Sequence, residues 1–141
     1  MTTNRSPWSY TPTSISFRPT VFYELDSTDT LKPWTSGPGT FVDLLIERAG
    51  GHNVGASLQD PWAQISLEQL VFLNPSIIIL GDSIWGTTVE SVNERPGWES
   101  LEAVKNDRIH PFDDNLVSRP GPRLMDGLEQ LAKLFHPELF E

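Results

Sequence analysis

A chain of 141 residues with 38% hydrophobic and 10% aromatic content can bury one real core, which excludes a disordered tail. A formal charge of −9 excludes binding to nucleic acid through phosphate neutralisation, since no basic stripe is present. The lack of cysteine excludes a disulfide framework and thiolate metal sites, and no apolar run approaches the ~20 residues of a membrane span.

Residues 1–17 read as a flexible or extended lead-in, punctuated by Pro7 and Pro12 and carrying Trp8, Tyr10 and Phe17. They lack the apolar core of a signal peptide. Residues 20–25 (TVFYEL) are β-branched and aromatic, a first strand. Residues 26–38 read as a long loop, with Pro33, Gly37 and Pro38 opposing regular structure and Trp34 in its middle. Thr40 then caps a helix whose face is marked by Phe41, Leu44, Leu45 and Arg48, and Gly50-Gly51 ends it in a left-handed conformation. Residues 53–56 form a short extended piece.

The stretch DPWAQISLEQL (60–70) organises the centre of the chain. Ser66 is the N-cap and Gln69 its capping-box partner, so a helix is expected over Leu67–Leu73. Pro61 and Trp62 sit on the connection before it. Residues 76–80 (SIIIL) are continuously apolar, as in a strand covered on both faces. A loop carrying Asp82 and Trp85 follows. Short helices are expected over 88–93 and 98–106, a strand over 108–112, and a final helix from near Gly121. That helix has its apolar stripe at Leu124, Leu128, Leu131, Ala132 and Phe135. Strands alternating with helices give an α/β fold, a three-layer α/β/α domain with a mostly parallel, Rossmann-like sheet.

Ligands gather at the carboxyl ends of the strands in such sheets. The loops there would present Trp34, Trp62, Trp85 and Arg119, a set suited to a large, partly flat ligand with acidic or carbonyl groups. The competing reading is that two of the three tryptophans plug gaps between helices and sheet. Glu68 in a helix first turn is accounted for by the helix dipole alone. His52, His110 and His136 lie on separate elements without metal-ligand spacing, and the adjacent Asp113 and Asp114 read as solvated loop acids. No nucleophile elbow, dinucleotide fingerprint or phosphate loop is present, so the chain is not expected to be an enzyme.

The motifs TSGPGTF (35–41), ERAGGHNV (47–54), PWAQISLEQL (61–70), NPSIIIL (74–80), RPGWESLEAVKNDRIH (95–110) and SRPGPRL (118–124) occur in an order that resembles one family. This is the carboxy-terminal lobe of ABC-transporter substrate-binding proteins of the cobalamin and iron-siderophore class, the class III type with a long helical backbone. The resemblance implies a half-protein. Residues 18–141 would be the second of two α/β lobes, with the first lobe, the linking helix and the export signal outside this chain. It also implies an extracytoplasmic or periplasmic location, no cofactor of its own, and a ligand that is itself a metal complex such as cobalamin, haem or a ferric siderophore. On the same resemblance Trp34 lines the cleft, Trp62 stacks on the ligand, Arg119 contacts its polar groups and Glu68 docks onto an ABC permease. Trp85 and Asp82 have no family counterpart and rest on loop position alone. The alternative is an interaction module that forms a homodimer through its tryptophan-bearing edge.

Overall fold

The computed structural model describes residues 17–116, 121 and 123–139. Its centre is β1 (Thr20–Asp26), whose residues 21–24 are all buried because both faces of the sheet are covered. β5 (Ile77–Leu80) lies parallel to β1, Val21 opposite Ile77 through Glu24 opposite Leu80. β6 (Ile109–Pro111) lies parallel on the far side of β5. At the start of β1, β3 (His52–Asn53) pairs in parallel with Thr20 and Val21. At its end, β2 (Trp34–Ser36) pairs antiparallel with Glu24 and Asp26, and β4 (Trp62–Gln64) pairs antiparallel with β2. The path β4-β2-β1-β5-β6 is therefore the expected mostly parallel sheet with an antiparallel flap added at one edge.

The strand alternation divides the core in two. Val21, Tyr23, Ile77 and Ile79 face α1 (Phe41–Arg48) and α5 (Leu124–Phe135). Phe22, Ile78 and Leu80 face the layer formed by α2 (Leu67–Leu73), α3 (Val89–Asn93) and α4 (Glu102–Lys105). Trp98, fully buried in that second layer, donates its indole N–H to the Thr30 carbonyl at 2.9 Å and so ties down the loop after β1.

Local sequence chemistry sets the helix ends. Thr40 and Ser66 accept from the backbone N–H of Asp43 and Gln69, as their spacing predicts, but the two reciprocal bonds of a capping box are found at α3, between Thr88 and Ser91, and not between Ser66 and Gln69. Asn74 ends α2 in the left-handed region, and its side chain then caps α4 by accepting from the Glu102 N–H at 2.9 Å. That remote cap helps explain why the helix expected over 98–106 is split. A 3-10 turn (Trp98–Ser100) is followed by α4, with Leu101 extended between them.

Several expectations need correction. Residues 26–38 are not all loop, because β2 lies within them, and Trp62 stands in β4 rather than on a connection. Proline fixes φ and removes a donor but keeps its acceptor, and the Pro33 and Pro61 carbonyls accept from Ile65 and Gly37 at 2.9 and 2.6 Å, so the prolines bracket the pair of strands instead of preventing it. The extended piece expected over 53–56 is β3 plus a 3-10 turn (Val54–Ser57). In α1 the buried residues are Val42, Leu45 and Ile46, while Phe41 and Leu44 face outward. Gly50 is left-handed at φ 94°, but Gly51 is not; a Cβ there would lie 2.9 Å from the Phe135 ring. The lead-in through residue 16 lies outside the described residues.

Candidate functional site

The candidate site lies where β1 ends. Register puts Trp34 opposite Asp26 on one side and opposite Gln64 on the other, and puts Trp62 opposite Ser36. Directly paired residues project to the same side of an antiparallel ladder, so Trp34 and Trp62 share one side as diagonal neighbours, about 7–8 Å apart at the backbone. Trp34 is 41% and Trp62 61% exposed, so neither plugs a gap in the core. The hairpin beneath them is held firmly. The Thr35 hydroxyl donates to the Tyr23 carbonyl at 2.7 Å, and the Asn53 amide donates to the Ser36 carbonyl at 3.0 Å and to Asp43 Oδ1 at 2.9 Å.

On the other side of the β1 end, β5 leads into Gly81, Asp82 and a 3-10 turn (Ser83–Trp85). The Asp82 carbonyl accepts from the Trp85 N–H at 3.0 Å, and the Ser83 hydroxyl donates to the Phe112 carbonyl at 3.1 Å, which fixes the turn to β6. Trp85 itself is 81% exposed. Together with Leu25, Asp26, Ser27, Thr28, Asp82 and Thr87 it lines a cleft of about 230 Å³.

Electrostatics separate the carboxyl groups here. Glu24 is fully buried and held by both guanidinium nitrogens of Arg95, which also lies 4.4 Å over the Trp98 ring. Asp82 is only 3% exposed, and neither of its oxygens has a hydrogen-bond partner. Burial first, and the neighbouring Glu24 carboxylate second, push its pKa up to about 8. The Glu24 carboxylate lies close enough to share the Asp82 proton, while Ser27 acts in the opposite direction. Asp26 goes the other way: the Thr28 N–H donates to it at 2.8 Å and lowers its pKa. One carboxyl is thus neutral and its neighbour charged at pH 7.

The other residues singled out from the sequence fall elsewhere. Arg119 lies outside the described residues. Glu68 is exposed in the first turn of α2 and borders a shallow groove of about 500 Å³ with Leu31, Ser66, Leu67 and Val71, one turn from the 86% exposed Phe72. Asp114 is not a freely solvated acid, because the Tyr23 hydroxyl donates to it at 2.6 Å. Burial raises its pKa and that of Tyr23. His136 is buried and donates from Nε2 to the Gly50 carbonyl at 2.9 Å, joining the ends of α5 and α1. Among the described residues no group of three or more His, Asp or Glu is placed to hold a metal ion. Sequence reasoning reaches Asp82 only through its loop; the sole hint of the Glu24–Arg95 pair is a charge inside an apolar strand.

A profile of the family described as periplasmic binding protein matches residues 19–116. The chain belongs to that family. Among curated relatives, the uncharacterized ABC transporter substrate-binding lipoprotein YvrC of Bacillus subtilis (strain 168) is 36% identical over 108 residues, 77% of this chain and 33% of that protein. The cobalamin-binding protein of Halobacterium salinarum is 28% identical over 130 residues, 89% of this chain and 34% of that protein. Among solved structures, a possible iron-binding, periplasmic solute-binding protein from Staphylococcus epidermidis superposes with a TM-score of 0.72 at 31% identity. That match covers 83% of this chain and 45% of the other. The chain thus spans about a third of the length of these curated relatives, and the α/β fold it shares with them is that of a periplasmic binding protein. Among the described residues no helix is long and apolar enough to cross a membrane.

Proposed function

We propose that this chain is a ligand-binding lobe of the substrate-binding component of an ABC importer, and that it takes a cobalamin-like or iron-chelate ligand. Residues 18–141 form one lobe of a two-lobe clamp in this reading, working outside the cytoplasm and without catalysis. The observation that carries it is the exposure of Trp34, Trp62 and Trp85 around the end of the central strand, in a family of binding proteins. These partly exposed indoles leave apolar area that a ligand can cover, and a large conjugated or macrocyclic chelate offers the flat surface they can stack on. Arg119, which precedes α5 in the sequence, would add charge-assisted contacts on the family resemblance. Glu68, at the positive end of α2 and beside exposed apolar side chains, is the docking group for a basic pocket of the permease. Nothing among the described residues favours the homodimer reading.

The test is tryptophan fluorescence titration of the folded chain with cyanocobalamin, haemin and a ferric siderophore. Saturable quenching by one of them supports the reading, at weaker affinity than a two-sided clamp gives because one face of the ligand stays in water. A folded chain that none of the three quenches saturably would overturn it.

A further inference from the structure

We propose that Asp82 and the polar cleft above it form a subsite for a primary carboxamide arm of the ligand, and that the subsite rejects carboxylate arms. The inference rests on the reading that this edge of the lobe faces ligand, and it narrows the ligand class.

The cleft walls carry the hydroxyls of Ser27, Thr28 and Thr87, the Asp26 carboxylate and the Trp85 indole. Among the described residues lining it none is cationic. The Arg95 guanidinium already gives two hydrogen bonds to Glu24. A carboxylate arm entering here would meet the Asp26 carboxylate with no cationic side chain among the described lining residues to offset it. A carboxamide brings no charge, and it offers an NH₂ donor and a carbonyl acceptor side by side.

Asp82 is the group that such an arm would satisfy. Its two oxygens are buried and accept no hydrogen bond from the described residues, a state that costs stability and is rare in folded proteins. Kept neutral by burial and by Glu24, toward which its proton is directed, its carboxyl leaves an oxygen that can accept from the N–H of a primary amide, a donor that a carboxylate arm lacks. The charged and titratable groups around it are Glu24 with its partner Arg95, Asp26, and the Tyr23 hydroxyl, which is engaged with Asp114. Both oxygens are screened from bulk water, so a bound arm requires the Trp85 turn to give way. Trp85 is therefore the reporter.

The experiment follows the Trp85 indole N–H, assigned with Trp85→Phe, in the ¹⁵N-labelled chain during titration with propionamide and with propionate at pH 7. Propionamide should shift the indole resonance in a saturable way, and propionate at the same concentration should not. Asp82→Asn, whose amide can donate to Glu24 and still accept from the arm, should retain the response, while Asp82→Leu should weaken it by about fivefold or more, as expected for one hydrogen bond. Raising the pH past about 8 should weaken the wild-type response and leave that of Asp82→Asn unchanged. An equal response to propionate, an unaltered Asp82→Leu variant, or no response to either compound would overturn the proposal. A chain that binds propionamide as described yet is quenched by no chelate would overturn the transport reading and leave the subsite standing. A chain that binds cyanocobalamin equally well with and without Asp82→Leu would do the reverse.

Discussion

Arg95 holds both carboxylate oxygens of Glu24, Nη1 to Oε2 at 2.7 Å and Nη2 to Oε1 at 2.9 Å, although the two lie 71 positions apart in sequence. The pair joins β1 to the segment just before Trp98, and both side chains are buried. Removing Arg95 would leave a buried carboxylate with no counter-ion, so Arg95→Ala should cost about 3–5 kcal/mol in urea unfolding. Arg95→Lys should recover only part of that, because an ammonium cannot reproduce the two-pronged grip. A loss below about 1 kcal/mol, the range of an exposed pair, would mean that the two side chains are not buried in solution.

The same Glu24 raises the pKa of Asp82, and the sign of the resulting pH dependence is fixed. The folded pKa of about 8 lies above the ordinary carboxylate value of 3.8 that the unfolded chain retains. Below 3.8 both states are protonated and the group contributes nothing. As pH rises from there toward 8 the unfolded state alone ionises, so the wild type loses stability over that window and levels off above it. Asp82→Asn removes the titration. Its stability advantage over wild type should therefore be smallest near pH 4 and should grow until about pH 8, as measured by urea midpoints across the range. An advantage that shrinks with rising pH would mean that Asp82 is ionised in the fold.

Much of the fold is legible in the sequence because helix caps and strand alternation are local chemistry. Ser66 with Gln69, and the apolar run over Ile77–Leu80, need no knowledge of distant residues. The antiparallel flap is not legible in the same way. β2 and β4 are three residues each, and they exist because Gly37 and Pro33 bond to a segment 24 to 32 positions away, not because of their own propensity. The inverted face of α1 has a similar origin: Phe41 and Leu44 are apolar, and only the position of the sheet decides that Val42, Leu45 and Ile46 are the residues turned inward. At the site, the tryptophans announce themselves by loop position. The neutral state of Asp82 does not, since it is produced by Glu24 and by burial.

Glu68 tests the docking surface. Its side chain is exposed, so Glu68→Ala should change folding stability by less than about 0.5 kcal/mol. In a full-length, two-lobed form of the protein it should nevertheless lower ligand-stimulated ATPase activity of the permease without changing ligand affinity. Unaltered stimulation would remove the docking role and leave the helix dipole as the reason for an acid at that position.

Trp62 separates stacking from packing. At 61% exposure it contributes little to the core, so Trp62→Ala should cost less than about 1 kcal/mol in unfolding while weakening the best-binding chelate by about tenfold. Trp98→Ala is the contrast, since that ring is fully buried and its loss should cost about 3–5 kcal/mol. A stability loss at Trp62 comparable to that at Trp98 would mean that its indole is a packing residue after all.

Gly37 is where the two tryptophan-bearing strands are fastened together. Its N–H donates to the Pro61 carbonyl at 2.6 Å, and a Cβ added to it would sit 2.0 Å from the Asp60 carbonyl oxygen. That obstacle is backbone, so it cannot swing aside as a side-chain tip would, and Gly37→Ala must push β4 away from the end of β2. The expected cost is about 1–3 kcal/mol in urea unfolding, as for other overpacked sites. The displacement would also separate Trp62 from Trp34, so chelate affinity should fall together with stability, unlike the Trp62→Ala change, which acts mainly on affinity. If Gly37→Ala lowers stability and leaves affinity intact, the Trp34–Trp62 pairing is not part of the binding surface, and the cleft beside Trp85 would carry recognition by itself.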